Sequence, residues 1–403
     1  MNLFSAPDIT SSEFLSDRYA SYRMLRDKFP QFHTEIDGES TIIFTRFADV
    51  AELLKNPVAT NQREPGTFPE GIAGNGPAGR FYRESLVNMD GIDHTVLRRI
   101  MSPAFSPAPV QKMRVWMEAV AERHLARFDG ESEMDFVSAF ASPMAAEVAS
   151  GLAHVPAEIG AKMLSTAPDL MKMISVSSKT RSLLDRADSA GAFCYAHMTE
   201  LFDSLKDKQL PLDDTVAVLL AAEGREKAMT RSTLITLLLG YMMAGYHTAM
   251  ITMANAVVAL LTHPEQRARL VDAPELAGSA WEEVLRYDGA VHFRQRYASA
   301  AITVGGSHIK KGQRLLLGLQ SANRDERQFQ DPDRFLIDRP NNRHLAFGSG
   351  AHFCMGLQVA RLEGEIVLRR FFRRFPRMEI VDMERSVQDL TFPMLTRLTL
   401  SLR

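Results

Sequence analysis

One short segment of the sequence combines residue types that could bind a metal centre. Cys354 follows glycines, a histidine and phenylalanines in AFGSGAHFCMG and stands just before a run of helical periodicity. Backbone N–H groups at the amino end of a helix are unpaired and favour negative charge, so a cysteine there is expected to have a lowered pKa. The thiolate is the form of cysteine that binds metals.

The chain has only two cysteines, which limits the kind of metal centre that Cys354 could bind. The other cysteine, Cys194 in AGAFCYAHM, fits a small core residue. Zinc and iron–sulfur sites need several cysteine or histidine ligands, whereas a haem needs one axial thiolate. A buried structural thiol is the alternative, but it does not require the glycines around Cys354, which permit close approach of a flat group.

The residues around Cys354 also match a known motif. Their spacing is FxxGxHxCxG, and the segment resembles the signature of the cytochromes P450, the haem-thiolate monooxygenases. The resemblance implies that haem b is the cofactor and that Cys354 is its axial iron ligand. The residues of this segment that the resemblance places around the haem are Phe347, Gly348, His352, Cys354 and Gly356.

A second match lies in a long apolar run of the sequence. Ala244-Gly245-Tyr246-His247-Thr248 resembles the family's AGx(D/E)T segment, which implies that Ala244 and Gly245 face the haem and that Thr248 is catalytic. The family usually has an acid where this chain has His247. An imidazole can still shuttle protons near neutral pH, so His247 is the second catalytic candidate.

Haem propionates call for cationic or hydrogen-bonding partners. His94 and Arg98 are four residues apart on one predicted helix and resemble the family's HxxxR. Arg296 and His352 match two further propionate contacts of the family.

A third signature is structural. Glu283 and Arg286 match the family's ExxR pair, whose charges face one way on a helix and need a third partner when they are buried. We predict Arg334, in RFLIDRP, as that partner.

Sequence motifs support the prediction of the substrate pocket less strongly than that of the haem site. The Gly- and Pro-rich stretch 61–79 predicts a long loop of the binding-loop kind. Residues near the haem motifs complete the prediction, and these candidate substrate contacts are Met243, Ala244, Val291, His292 and Phe293.

The elements that must position these residues are mostly helical. From His94 to Val271 apolar residues recur at helical spacing, with breaks at VPAE, QLPLDD and THPEQ. TEIDGESTIIFTR predicts a hairpin, the alternating segment after Arg286 predicts a small antiparallel sheet, and VQDLTFPMLTRLTLSLR predicts paired strands. Length alone predicts two or three domains. The resemblance, over about residues 15–403, implies one domain spanning residues 1–403, mainly α with small β-sheets, in the cytochrome P450 fold.

Composition and charge exclude several classes of protein. With 45% hydrophobic and 24% charged residues the chain is an ordinary globular protein, and a net charge of −2 gives no field that attracts nucleic acid. The apolar run 232–264 exceeds a membrane span, but its internal polar residues favour a core helix. We expect free thiols and a cytoplasmic location, because the amino terminus lacks a basic leader and an apolar run.

The resemblance also implies an activity and its partners. We expect oxidation of a small organic molecule of secondary metabolism by dioxygen, in a monomer that receives electrons from a ferredoxin and a ferredoxin reductase. Peroxide-driven or non-hydroxylating chemistry is the alternative because His247 replaces the acid, and a haem sensor without turnover is a third hypothesis. Substrate identity, regiochemistry and attachment to a carrier cannot be predicted from the sequence.

Overall fold

The computed structural model of the protein describes residues 7–64, 76–176, 180–206, 208–225, 229–386 and 389–402. Its architecture is mainly helical with small sheets, as predicted. The helices of the described residues are α1 (Ser12–Ser16), α2 (Arg18–Lys28), α3 (Phe47–Lys55), α4 (Pro77–Glu84), α5 (Gly91–Met101), α6 (Pro107–Lys112), α7 (Arg114–Ala126), α8 (Ser142–Leu152), α9 (Ala157–Ser165), α10 (Ala167–Ile174), α11 (Arg181–Leu205), α12 (Thr215–Ala222), α13 (Arg231–Leu261), α14 (Pro264–Asp272), α15 (Ala277–Asp288), α16 (Leu319–Ala322) and α17 (Leu357–Arg374). The strands are β1 (Gln31–Ile36), β2 (Glu39–Phe44), β3 (Ala59–Thr60), β4 (Glu133–Asp135), β5 (Phe293–Ala298), β6 (Ile302–Val304), β7 (Ser307–Ile309), β8 (Arg314–Gly318), β9 (Glu379–Arg385) and β10 (Leu395–Ser401).

The largest sheet joins two distant parts of the chain. The predicted hairpin is present, with Asp37 and Gly38 at φ of 55° and 75° between β1 and β2. β8 then pairs in parallel with β2 and antiparallel with β5, giving the order β1-β2-β8-β5-β3. The prediction of one antiparallel sheet after Arg286 is therefore only partly right. A lone hairpin is marginally stable, and pairing with β8 completes it.

The remaining strands form two smaller sheets. Within the described part of the chain, β6 and β7 form a two-stranded sheet, and β10 lies between β4 and β9. The described part of the carboxyl-terminal segment, residues 389–402, thus supplies one strand, whose partners β4 and β9 lie earlier in the chain.

The central element is the long helix α13. The Thr230 side chain accepts a hydrogen bond from the N–H of Thr233 at its start, and most residues from Leu234 to Leu260 are buried. Among the described residues it is the one helix long and apolar enough to cross a membrane, but 67% of its most apolar window is buried within the protein. Packing on several sides accounts for its apolarity.

Two further helices support the segment that carries Cys354. α15 and α17 pack together so closely at Gly364 that a Cβ there would overlap the indole of Trp281. α15 carries Glu283 and Arg286, and α17 begins three residues after Cys354. A core contact between these two helices therefore sets where the thiol lies.

The predicted loop at 61–79 lies partly outside the described residues, since 65–75 are not described. Its end is helical rather than irregular. Pro77 occupies the first turn of α4, where proline is favoured because its missing N–H would have no partner there.

Candidate active site

Cys354 ends a tight turn whose shape depends on glycine. Its N–H donates to the carbonyl of Phe347 at 2.9 Å, which closes the turn before α17 begins. Gly350 has a φ of +73°, and a Cβ there would lie 2.6 Å from the carbonyl oxygen of Leu54 in α3. Both observations exclude a side chain at 350. The turn can therefore press directly against α3.

The Cys354 side chain is partly buried, and the loss of hydration there governs the pKa of the thiol. Burial raises the pKa of Cys354, while the N–H of Gly356 and the charges of Arg98, Arg294 and Arg361 act to lower it. The helix-end effect expected from the sequence is thus present but smaller than the effect of burial. A metal that binds the sulfur would itself remove the proton.

Cys354 lies on the wall of a cavity of about 340 Å³ between its turn and α13. Most of the side chains around the cavity are apolar and come from α4, α8, α10, α13 and the segment before β5. Phe347, Gly348, His352 and Gly356 share this wall with Cys354, so the predicted motif residues are brought together.

Two histidines meet at one edge of the cavity. The rings of His94 and His352 stack with centroids 4.0 Å apart, and His352 Nε2 lies 2.9 Å from Asp90 Oδ1. Asp90 is fixed in turn by the backbone N–H groups of Asn61 and Gln62. Among the described residues, His94 Nε2 is buried without a hydrogen-bond partner. Burial lowers the pKa of His94 to about 4, so its ring is neutral at pH 7.

Arginines surround the same cavity. Arg98 Nη2 donates to the carbonyl of Phe353 at 2.7 Å, and Arg296 Nη1 donates to the carbonyl of Gln295 at 2.8 Å. Burial, and then the charge of Arg294, lower the pKa of Arg296 to about 9, which leaves it charged at pH 7. Arg98, Arg294 and Arg296 all line the cavity.

These residues fit a haem. The unpaired His94 Nε2 and the charged arginines of the cavity wall can donate hydrogen bonds to an acid, and a haem brings two propionates. Cys354, on the wall of the same cavity, offers one thiolate. The four predicted propionate partners, which are His94, Arg98, Arg296 and His352, all line the cavity.

One face of α13 forms the other wall. Ala244, Gly245 and Thr248 line the cavity, and the Thr248 hydroxyl donates to the carbonyl of Ala244 at 2.8 Å. Met243 is fully buried and is not among the lining residues, whereas Met242 is. The helical period accounts for this difference, because the residues one position away point to another face.

His247 lies on the face of α13 that turns away from the cavity. Its ring packs edge-on against Phe392 with centroids 5.1 Å apart, and its Nδ1 has no partner among the described residues. Burial lowers the pKa of His247 to about 4, so the imidazole is neutral at pH 7. Phe392 itself lines the cavity, whereas His247 does not.

The predicted substrate contacts before and within β5 divide in the same manner. Val291 lines the cavity, while His292 and Phe293 do not. Arg294, to which no role of its own was assigned, lines the cavity as well. The His292 ring nitrogen Nδ1 instead lies 2.9 Å from the hydroxyl of Tyr22, whose ring packs edge-on against Phe293. Both side chains belong to the packing of α2 against the sheet.

The ExxR pair forms a buried cluster, but its predicted third member is wrong. Arg286 donates two hydrogen bonds to Glu283, at 2.7 and 2.8 Å, and neither side chain is exposed. Arg339 is the third member, since its Nε lies 3.1 Å from both Glu283 oxygens. Arg334 contributes only its backbone carbonyl to Arg286 and Arg339, because its side chain is 68% exposed beside Asp331.

Sequence reasoning missed two residues of this region, Asp90 and Glu363, and gave Arg294 no role of its own. Asp90 had no motif, and Glu363 reads as a helix residue, although it lines the cavity and burial raises its pKa to about 8. Arg294 could have been found, because residues two apart on a strand share a face and Arg296 was already assigned to the haem.

Comparison with known proteins agrees with the family resemblance seen in the sequence motifs. The chain matches the family described as Cytochrome P450 over residues 16–273 and 275–399. It is 30% identical to the biotin biosynthesis cytochrome P450 of Bacillus subtilis (strain 168), covering 94% of each chain, and 30% identical to the mycinamicin IV hydroxylase/epoxidase of Micromonospora griseorubida, covering 84% of this chain and 83% of that one. The crystal structure of P450BioI in complex with hexadec-9Z-enoic acid ligated acyl carrier protein has a TM-score of 0.89 and 28% identity, covering 97% of this chain and 100% of that one.

Proposed function

The chain belongs to the cytochrome P450 family, and from this premise we propose that it uses haem b and dioxygen to oxidise a small organic molecule of secondary metabolism. It is an oxidoreductase of the monooxygenase class with a haem-iron cofactor. The observation that carries the proposal is the cavity that has Cys354 on one wall and Thr248 on the other.

The residues that would hold the haem are those already described. Cys354 would bind the iron, and His94, Arg98, Arg296 and His352 would bind the propionates. Haem with an axial thiolate supplies oxygen activation and O–O bond cleavage. The protein supplies position, protons and exclusion of water.

Thr248 is the proposed catalytic residue of α13. Its hydroxyl stands at the cavity wall one turn after Ala244 and Gly245, whose small size leaves room for oxygen and a water molecule. The hydroxyl donates to the Ala244 carbonyl, so its lone pairs can accept a hydrogen bond from that water. In this arrangement Thr248 holds the water from which a proton is drawn.

The given sequence carries no flavin or iron–sulfur motif, which supports a separate source of electrons. We propose a ferredoxin and a ferredoxin reductase, with docking near Cys354. Phe353, next to the thiol, is 40% exposed, which supports an apolar contact there. A cytoplasmic monomer is the proposed state.

A second candidate function is peroxide-driven or non-hydroxylating chemistry. It is favoured by His247, which occupies the family's acid position, is neutral at pH 7 and does not line the cavity. A chain without an acid at this point would deliver protons for dioxygen activation slowly.

Two measurements on the purified holoprotein test these proposals. The reduced protein under carbon monoxide should show the long-wavelength Soret band of thiolate-bound haem, and Cys354→Ala should lose it. Turnover with dioxygen, ferredoxin and reductase should yield product in proportion to NAD(P)H consumed. Loss of turnover in Thr248→Ala would support the role of Thr248.

His247→Glu decides between the two candidates. If dioxygen chemistry is handicapped in the native chain, the variant gains product per NAD(P)H, and peroxide-driven turnover of the native chain is the faster reaction. If the imidazole is a working relay, the variant loses coupled turnover. A haem protein with no product from either oxidant and no substrate-induced spectral shift would overturn both candidates.

A further inference from the structure

Asp90 joins separate parts of the chain beside the cavity, although it does not line the cavity itself. It stands just before α5, yet its side chain makes no capping hydrogen bond to that helix. Its Oδ1 lies 2.9 Å from Nε2 of His352, and its Oδ2 accepts hydrogen bonds of 2.7 Å from the backbone N–H groups of Asn61 and Gln62. Both carboxylate oxygens therefore hold other segments in place.

The Asp90 side chain is an anion at neutral pH. Burial acts to raise its pKa, but the hydrogen bonds from His352 and from the two backbone N–H groups outweigh burial and keep the pKa below its usual value. The charge of Asp90 in turn acts to raise the pKa of Arg296, against the larger effects of burial and of Arg294. Asp90 thus favours the charged form of one residue that lines the cavity and contacts another.

The charges of the cavity balance when Asp90 is counted. Three arginines line the cavity, and these are Arg98, Arg294 and Arg296. Glu363 is the one carboxylic acid among the described residues that line it, and at pH 7 it is mostly protonated, because burial raises its pKa to about 8. The two propionates of a haem would supply two negative charges, and Asp90 supplies the third. Without Asp90, one positive charge of the site would lack compensation.

His352 is the residue through which Asp90 can act on a haem. It lines the cavity, and its ring stacks on that of His94 with centroids 4.0 Å apart. A carboxylate that accepts a hydrogen bond from one nitrogen of an imidazole fixes the orientation of the ring, as carboxylates do for histidines that bind metals. Asp90 therefore holds in place the pair of rings that would meet a propionate.

From these contacts we propose that Asp90 is a positioning residue that sets both how firmly the haem is held and the reduction potential of the haem. Because Asp90 does not line the cavity, it acts through His352 and through the negative charge that it adds beside Arg296. A negative charge near the haem disfavours the addition of an electron, so Asp90 lowers the potential. The inference rests on the proposed function, since it assigns Asp90 a role toward the haem which that function requires.

Two variants of the purified holoprotein separate the charge of Asp90 from its hydrogen bonds. Asp90→Asn keeps the shape of the side chain and removes the charge, so the reduction potential should rise. The expected rise is up to about 59 mV, which corresponds to a tenfold change in the ratio of reduced to oxidised haem at a given potential. Asp90→Ala also removes the hydrogen bonds, and it should release haem to an excess of apomyoglobin about tenfold faster than the native protein does.

Asp93 offers the matched control. It carries the same charge in the first turn of α5, and its side chain is exposed. Asp93→Asn should leave the reduction potential unchanged, and Asp93→Ala should leave the rate of haem release unchanged, because solvent screens an exposed charge.

A double-mutant cycle tests whether Asp90 acts on haem release through His352. If it does, adding Asp90→Ala to His352→Ala should accelerate haem release by less than about twofold, because the contact is already lost. Multiplication of the two single effects would show that Asp90 stabilises the site independently of His352.

Three outcomes overturn the proposal. They are haem release from Asp90→Ala that is no faster than from Asp93→Ala, an unchanged potential in Asp90→Asn, and multiplicative effects in the cycle. If Asp90→Ala yields no holoprotein, the potential of Asp90→Asn decides alone. The carbon monoxide spectrum of the native protein separates these failures from failure of the proposed function. A normal thiolate band with any of the three outcomes overturns only the role of Asp90, and a missing band overturns the haem-thiolate function itself.

Discussion

The buried carboxylate of Glu283 holds together two separate parts of the chain. It accepts hydrogen bonds from Arg286, Arg339, the amide of Asn342 and the N–H of Leu336. These donors come from α15 and from the segment 334–342 that leads to the Cys354 turn. Removing one arginine leaves a buried charge only partly compensated, which is strongly destabilising.

Arg339→Ala and Arg334→Ala form a matched pair of variants. We expect Arg339→Ala to lower the free energy of unfolding by about 3 kcal/mol or more, because it breaks a buried pair. Arg334→Ala should change it by less than about 0.5 kcal/mol, because an exposed ion pair contributes little. Denaturant unfolding of both variants, with haem content as a second readout, makes the comparison. Equal losses would show that the Arg334 side chain belongs to the cluster.

The cluster around Glu283 shows which contacts the sequence can predict and which it cannot. The spacing of Glu283 and Arg286 follows from the helical period and could be predicted. The third member of the cluster comes from an irregular segment that contains both Arg334 and Arg339. Because such a segment has no regular period, the sequence does not show which of the two side chains points into the core. In β5 the period of two was available, and it correctly groups Arg294 with Arg296 and separates Phe293 from both.

At the scale of elements, the turn before α17 depends on its contact with α3. Gly350 and Gly312 both have positive φ, of 73° and 80°, so alanine costs about 1 to 2 kcal/mol at either position. Only at 350 would the new Cβ also meet a backbone, that of Leu54 and Lys55, whereas open space surrounds Gly312.

Comparing Gly350→Ala with Gly312→Ala therefore separates the effect of backbone strain at a positive φ from the effect of a steric clash with α3. We expect Gly350→Ala to lose most of its haem, because the turn or α3 must move and Cys354 moves with it. Gly312→Ala should keep its haem and lose about 1 to 2 kcal/mol of stability. Haem content per chain and thermal unfolding measure the two effects. Equal haem content in both variants would show that the contact with α3 does not position the thiol.

At the scale of the whole molecule, the sequence was informative about elements and their periods but not about distant pairings. α13 is apolar on several sides, a pattern shared by membrane helices and core helices. Its internal polar residues and the basic residues near both of its ends favoured the core. The parallel pairing of β2 with β8 links residues about 270 positions apart and leaves no local pattern. The haem motifs were predictable because their chemistry dictates residue types. Cavity-lining residues such as Met242 were not, because the face of a helix that meets a cavity depends on how the helix is rotated.

Glu363 couples the stability of the whole molecule to pH. It is buried in α17, one of its oxygens has no partner among the described residues, and burial raises its pKa to about 8 from 4.5. Between these two values the unfolded chain releases a proton that the folded chain retains. The folded state therefore binds more protons, and the free energy of unfolding falls as the pH rises through this window.

Glu363→Gln should remove that pH dependence while preserving the volume of the side chain. Near pH 4, below this window, the variant and the native protein should be nearly equally stable. At pH 7 the variant should be more stable by about 3 kcal/mol, since each pH unit in the window is worth about 1.4 kcal/mol. Denaturant unfolding at both pH values gives the two differences. Glu379→Gln, on the exposed strand β9, removes the same charge without burial, and its difference from the native protein should stay constant. A constant difference for Glu363→Gln as well would mean that Glu363 is ionised in the folded protein at neutral pH and that a partner compensates its charge.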